Sequence, residues 1–162
     1  MSADPTQLSP FAADLVRATA NYAIFIPVAS VAAVVMFRRL WRLDLIEAAV
    51  SGVLTIALVK LGAAFYAHPR PFVVFHAVPL VAHAADNAFP SDHLAAIGLA
   101  AGYLWTRSRA LAVLALAVAL AVGWARVLAL LHWPIDVACG FLFGLAAAAI
   151  GHWIVRRSRS TA

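Results

Sequence analysis

The chain is short of charge, almost without cysteine, and has no repeat or low-complexity linker to divide it. Charged residues occupy 12% of its 162 positions and hydrophobic residues 65%. A water-soluble domain carries roughly 25% charged and about 45–50% apolar residues. So few charges cannot coat a soluble surface, and the chain reads as an integral membrane protein. Cys139 is the single cysteine. That excludes a disulfide framework or a thiolate zinc cluster and leaves Cys139 as a small packing residue. No basic stretch precedes the first apolar run, where Asp4 and Asp14 stand instead. A cleavable signal peptide is therefore not expected, and the run should remain as an anchor. Residues 1–162 are read as one domain.

What is present is a series of apolar runs. Five read as spans, at about residues 20–37, 45–67, 93–105, 110–131 and 135–155. Most approach the roughly 20 residues that cross a bilayer core; the third is short. Residues 9–17 suit an interfacial amphipathic helix, with Phe11 and Leu15 towards lipid and Asp14 and Arg17 towards water. The expected fold is all-α, a polytopic membrane bundle of five spanning helices plus that N-terminal interfacial helix. The net charge of +5 would suit nucleic acid, but the arginines fall in alternate loops: Arg38, Arg39 and Arg42, then Arg107 and Arg109, then Arg156, Arg157 and Arg159. By the positive-inside rule these turns and the C-terminus are cytoplasmic, and the loop 67–92 is outside. A helical rise of about 1.5 Å per residue then carries Lys60, His93, Arg126 and Asp136 to one depth near the outer face. Ionisable groups within spans are costly and mark a functional interior by default.

His132 and Asp136 are four residues apart with Pro134 between them. Proline suits the first turn of a helix, so Asp136 falls in that turn with His132 just ahead. The carboxylate can hold one ring nitrogen and leave the other as nucleophile or base; the plain alternative is a capping acid beside an interfacial histidine. His93 follows Pro90-Ser91-Asp92 at the expected start of a helix. There, free N–H groups favour an anion, while an ordinary Ser/Asp cap is the alternative. Arg126 lies inside an apolar run, and Arg70 sits between two prolines where its fork can face a phosphate. Lys60 is the one lysine. Snorkelling to headgroups is the alternative for all three. His68, His76 and His83 share the outer loop with Asp86 at irregular spacing, a poor pattern for a metal site. His152 reads as interfacial, and Trp105, Trp133 and Trp153 as belt residues.

These residues resemble the three-part signature of the type 2 phosphatidic acid phosphatase superfamily: Lys-x6-Arg-Pro, Pro-Ser-Gly-His, and Ser-Arg-x5-His-x3-Asp. The matches are Arg70-Pro71, Pro90-Ser91-Asp92-His93, and Arg126 with His132 and Asp136. The wording Pro-Arg-Pro-Phe, Phe-Pro-Ser-Asp-His and His-Trp-Pro-Ile-Asp is similar to the bacitracin-resistance branch of undecaprenyl-pyrophosphate phosphatases. The resemblance implies that His132 attacks phosphorus to form a phosphohistidine, oriented by Asp136, and that His93 protonates the leaving group. It implies that Arg70, Arg126, Ser91 and the backbone at Asp92 and His93 hold the phosphoryl oxygens, with no metal or cofactor. Three positions depart from the pattern. Ala63 occupies the family's lysine position, with Lys60 three residues earlier; Ala125 replaces a serine; and Asp92 replaces glycine, placing an acid near the phosphate rather than in the chemistry.

The expected function is hydrolysis of polyprenyl pyrophosphate at the outer face of a bacterial inner membrane, recycling the lipid carrier for cell-wall synthesis. The expected partners are the lipid and the bilayer, and no nucleic acid. The rivals are another lipid phosphate (phosphatidylglycerol phosphate, phosphatidic acid or a lipid A phosphate) and a non-catalytic protein that grips a headgroup.

Overall fold

The computed structural model describes residues 8–38 and 41–160, with side chains to position 157. Asp4, used above in the signal-peptide reading, and Arg39 and the Arg159 side chain, used for topology, lie outside the described residues. The chain folds as α1 (Pro10–Tyr22), α2 (Phe25–Phe37), α3 (Trp41–Phe65), α4 (Pro71–Val74), α5 (Asp92–Trp105), α6 (Arg109–Leu128) and α7 (Pro134–Ser160).

Four stretches are long and apolar enough to cross a membrane: Pro10–Phe37, Trp41–Phe65, Arg109–Leu128 and Pro134–Arg157. This differs from the sequence expectation at two places. Residues 9–17 are not a separate element. They open α1, capped by the Ser9 hydroxyl, which accepts from the Ala12 N–H at 3.3 Å, and α1 runs on through a short turn into α2. The expected third span is α5, whose 14 residues fall below spanning length. Its burial explains its composition: Leu94, Ile97, Ala100, Tyr103 and Leu104 are enclosed by protein. An all-round apolar helix need not face lipid if its neighbours cover it.

Helix α5 is the axis of the bundle and packs against α2, α3, α6 and α7. It separates α6 from α7, which are joined at the site end but touch little along their lengths. Small residues allow the close α5–α7 approach. A Cβ at Gly140 would strike the Ser91 carbonyl, and one at Gly144 the Ala95 carbonyl. The start of α5 is thus seated directly on the first turns of α7.

The opposite end of the bundle is tied by charge. Arg107, read from sequence as a topology marker, is buried and pairs with Asp44 at 2.9 Å and Glu47 at 2.8 Å. Arg38 reaches Asp44 at 2.9 Å, and the ring of His152 reaches Glu47 at 3.0 Å. His152 is therefore part of an ionic cluster. Arg109 and Arg157 lie over Trp105 and Trp153 at 4.0 and 4.3 Å, consistent with an interfacial belt at this end.

Candidate active site

The α6–α7 connection places the central histidine. Helix α6 ends in a Schellman turn: the Leu131 N–H reaches the Arg126 carbonyl at 3.1 Å, and the Leu130 N–H reaches Val127 at 3.0 Å. Leu130 occupies the left-handed position with φ 59°, where glycine is usual, and its carbonyl accepts from the Phe72 N–H at 3.1 Å. The turn folds back so that His132 is buried against Ala88, just before Pro134 opens α7.

A cavity of about 330 Å³ opens here, and its lining includes Lys60, Arg70, Asp92, His93, Arg126 and His132. Lys60, His93 and Arg126, assigned from helix rise to one depth, do share one space. Asp136 is fully buried, with its Oδ2 3.9 Å from His132 Nδ1. That is too long for a hydrogen bond, so the spacing-based expectation that Asp136 holds the His132 ring is not the geometry found. The His132 Nδ1–H instead donates to the Ala88 carbonyl at 2.8 Å. A carbonyl only accepts, so Nδ1 carries the proton and Nε2 the lone pair. Burial, then the charges of Arg126 and Arg70, push the His132 pKa down to about 3. The imidazole is neutral at neutral pH and available as a nucleophile or base.

Asp136 is engaged elsewhere. Its Oδ1 meets His68 Nδ1 at 2.7 Å and its Oδ2 accepts the Trp133 N–H at 2.7 Å. The reason is local: an acid in the first turn reaches back to the free N–H just before its own helix. His68 was grouped by sequence with the other loop histidines. Its position two residues before Arg70-Pro71 was the available signal that it belonged elsewhere. His83 lies beside Asp86 at 3.8 Å, and His76 is exposed on the loop.

Two polar groups in this region are buried without a partner, the Ser91 Oγ and the Arg126 Nε. Helix α5 has no side-chain cap bond although Ser91 occupies its N-cap position, so the plain capping reading of Ser91 does not describe it. Arg126 uses Nη1 on the Ala20 carbonyl at 3.1 Å and is buried, which rules out snorkelling. Unsatisfied buried donors are costly; the Arg126 guanidinium lines the cavity and suits an anion there, and Ser91 lies between Pro90 and Asp92, which also line it. Arg70 is more fully engaged, with Asp86 at 2.8 Å and the Leu131 carbonyl at 2.8 Å. The Arg70 hydrogen bond and charge hold Asp86 below the usual carboxylate range. Lys60 and Asp92 are exposed at the cavity edge.

Asn87 was also missed from sequence. Its amide Nδ2 donates to the carbonyls of Ala63, in the last turn of α3, at 3.2 Å and of Tyr66, just beyond it, at 3.0 Å. Its Oδ1 accepts from the N–H groups of His68 at 2.8 Å and Phe89 at 3.0 Å. It staples the end of α3 to the loop that leads into α5.

Comparison with known proteins bears on the family and the fold. The PAP2 superfamily pattern matches residues 44–160. A putative undecaprenyl-diphosphatase, YbjG of Escherichia coli K12, is 33% identical over 109 residues, covering 59% of this chain and 52% of that protein. The bacitracin transport permease protein BcrC of Bacillus licheniformis is 32% identical over 123 residues, covering 69% and 56%. The chain spans about half the length of these relatives. Two solved structures share the fold at a TM-score of 0.70 and 20% identity. One is LpxE of Aquifex aeolicus, covering 91% of this chain and 88% of that one. The other is a transmembrane PAP2-type phosphatidylglycerolphosphate phosphatase of Bacillus subtilis, covering 96% and 82%. The chain is a multi-pass membrane protein and belongs to the PAP2 superfamily.

Proposed function

We propose that the chain hydrolyses the terminal phosphate of a polyprenyl pyrophosphate, undecaprenyl pyrophosphate foremost, through a phosphohistidine on His132. The observation that carries the chemistry is the His132 tautomer: a neutral ring, Nδ1–H tied to Ala88, and the Nε2 lone pair at a cavity lined by cations. Nε2 attacks the terminal phosphorus, and the bond to the bridging oxygen breaks. That oxygen leaves as the lipid monophosphate, taking a proton from His93. Burial and then the Arg126 charge push this histidine down to about 4 in the ligand-free protein, so the negative charge of the bound pyrophosphate must first raise it to the imidazolium. Water then attacks the phosphohistidine with His93 accepting its proton, and inorganic phosphate departs. Arg126 and Arg70, which line the cavity, and the Ser91 hydroxyl stabilise the phosphoryl oxygens. Asp136 balances the charge that the His132 ring gains. Lys60, at the cavity edge, adds a cation for the second phosphate, and Asp92 is turned to its rim.

The diphosphate substrate is supported by the E. coli relative's name and by the resemblance of the Phe-Pro-Ser-Asp-His and His-Trp-Pro-Ile-Asp segments. The arginine-rich end would face the cytoplasm and the cavity the exterior of a bacterial inner membrane. Product recycling would serve cell-wall synthesis.

The test is phosphate release by purified protein in detergent from undecaprenyl pyrophosphate, phosphatidylglycerol phosphate and phosphatidic acid in competition. Preference for the pyrophosphate, abolished in His132→Ala, is the expected result. Preference for a glycerolipid phosphate would move the assignment towards the activity named for the B. subtilis structure. Undiminished turnover by a correctly inserted His132→Ala protein would refute the nucleophile.

A further inference from the structure

Asp136 has no exposed surface, and a buried carboxylate must be partnered to stay ionised. Its Oδ1 partner is His68, at 2.7 Å. His68 is held firmly. Its ring stacks on Trp133 (centroids 5.5 Å apart, 25° between planes) and packs on Tyr66 at 5.2 Å. Trp133 is itself pinned by Nε1 donating to the Pro69 carbonyl at 2.8 Å. The main chain of His68 also matters, because its carbonyl accepts the Ala88 N–H at 2.8 Å, and Ala88 is the residue that binds His132 Nδ1. The connections close a circuit from the His68 ring to Asp136, across 3.9 Å to His132, through Ala88 and back to the His68 carbonyl. His68 itself is not among the residues that line the cavity.

We infer that His68 is a positioning residue of the phosphoryl-transfer site, holding the Asp136 carboxylate beside His132 in an orientation that leaves the Nδ1–H on Ala88. This rests on the function proposed above. When Nε2 of His132 bonds to phosphorus and the lipid monophosphate leaves with the bridging electron pair, Nδ1 keeps its proton and the ring becomes cationic. The nearby carboxylate offsets that charge. Without His68, Oδ1 loses its donor inside the protein. Asp136 is then free to rotate onto His132, 3.9 Å away, and to draw the Nδ1–H away from Ala88. That outcome weakens the charged intermediate rather than substrate binding, since it does not touch the Arg126 side chain or the Ser91 hydroxyl.

The test compares wild type, His68→Ala, His68→Asn and His132→Ala on undecaprenyl pyrophosphate and phosphatidic acid in detergent. Asparagine can place a donor near the position of Nδ1 without titrating. The expected result is a kcat loss of roughly 10–100-fold for His68→Ala, the scale known for removing the hydrogen-bond partner that orients a metal-ligating side chain, with KM unchanged and much of the loss recovered in His68→Asn. A wild-type kcat in His68→Ala, a change confined to KM, or an asparagine variant as poor as alanine would overturn the inference. An inactive wild type would refute the functional reading instead. The positioning role is then read from the ¹⁵N resonances of the His132 ring, which should move in His68→Ala and return in His68→Asn; unmoved resonances would refute it.

Discussion

The ring of His132 and the carbonyl of Ala88, 2.8 Å apart, decide which imidazole nitrogen can react. The bond fixes the proton on Nδ1, and burial beside Arg126 and Arg70 keeps a second proton off Nε2 down to about pH 3. In ¹⁵N-histidine spectra of the ligand-free protein, His132 should therefore remain the neutral Nδ1–H tautomer at pH 5. The linked stability change has a definite sign. An unfolded histidine takes up a proton near pH 6.5 and the folded one does not, so this group lowers stability as pH falls from about 6.5 towards 3. Protonation of His132 above pH 5.5 would contradict both statements.

Ser91 and Arg126 predict different signatures because each is buried with an unsatisfied atom. If Ser91 were a structural cap, alanine would cost about 1 kcal/mol of stability. Its hydroxyl caps nothing, so Ser91→Ala should leave the melting temperature unchanged or raised while lowering kcat/KM. Arg126→Lys keeps the charge but loses the planar fork. Its kcat/KM should fall on the order of 100–1,000-fold, as for loss of a preorganised donor to a developing oxyanion. Thermal melts and steady-state kinetics on the same preparations check both; a destabilised, fully active Ser91→Ala protein would be the contrary result.

Gly140 is constrained by the site rather than by its own backbone. A Cβ there meets the Ser91 carbonyl, and Ser91 donates its N–H to the Asp136 carbonyl at 3.0 Å. Gly140→Ala should push the start of α5 from α7 and displace Ser91 and His93 together, so kcat falls far more than for the neighbouring Cys139→Ala. Equal activity of the two variants would show that the helices can part without harm to the site.

The apolar runs were legible because bilayer burial leaves a strong signal in composition, and Lys60, His93, Arg126 and Asp136 stood out as polar interruptions of it. Helix rise alone brought these four to one depth. Three things escaped. The continuity of α1 into α2 was hidden because the Asp14 and Arg17 face reads as interfacial; Arg17 in fact reaches back to Asp14 at 2.8 Å and across to the Leu80 carbonyl at 3.0 Å. Helix α5 read as a span because a helix wrapped by protein and one wrapped by lipid share a composition. The Asp136 partner was misjudged because i to i+4 spacing suggested His132, while His68 lies 68 positions away and no local pattern links them.

The ionic cluster at the far end of the bundle was equally unmarked, and it should govern stability rather than catalysis. The Arg107 guanidinium bridges Asp44 and Glu47, with side-chain exposures of 6–8% for all three, and lies 3.7 Å from the Tyr103 ring centroid. Removing one member of a buried ionic set leaves an uncompensated charge and costs roughly 3–5 kcal/mol. Arg107→Met should therefore unfold well below wild type in detergent, with the loss lessened when Asp44→Asn and Glu47→Gln are added, because the orphaned charges go with their partner. The triple variant, once folded, should retain the wild-type kcat and KM, since the cluster and the cavity share no lining residue. A single Arg107→Met variant of wild-type melting temperature would show that water or lipid headgroups satisfy these carboxylates. A folded triple variant with lost turnover would show that the two ends of the bundle are coupled through α5.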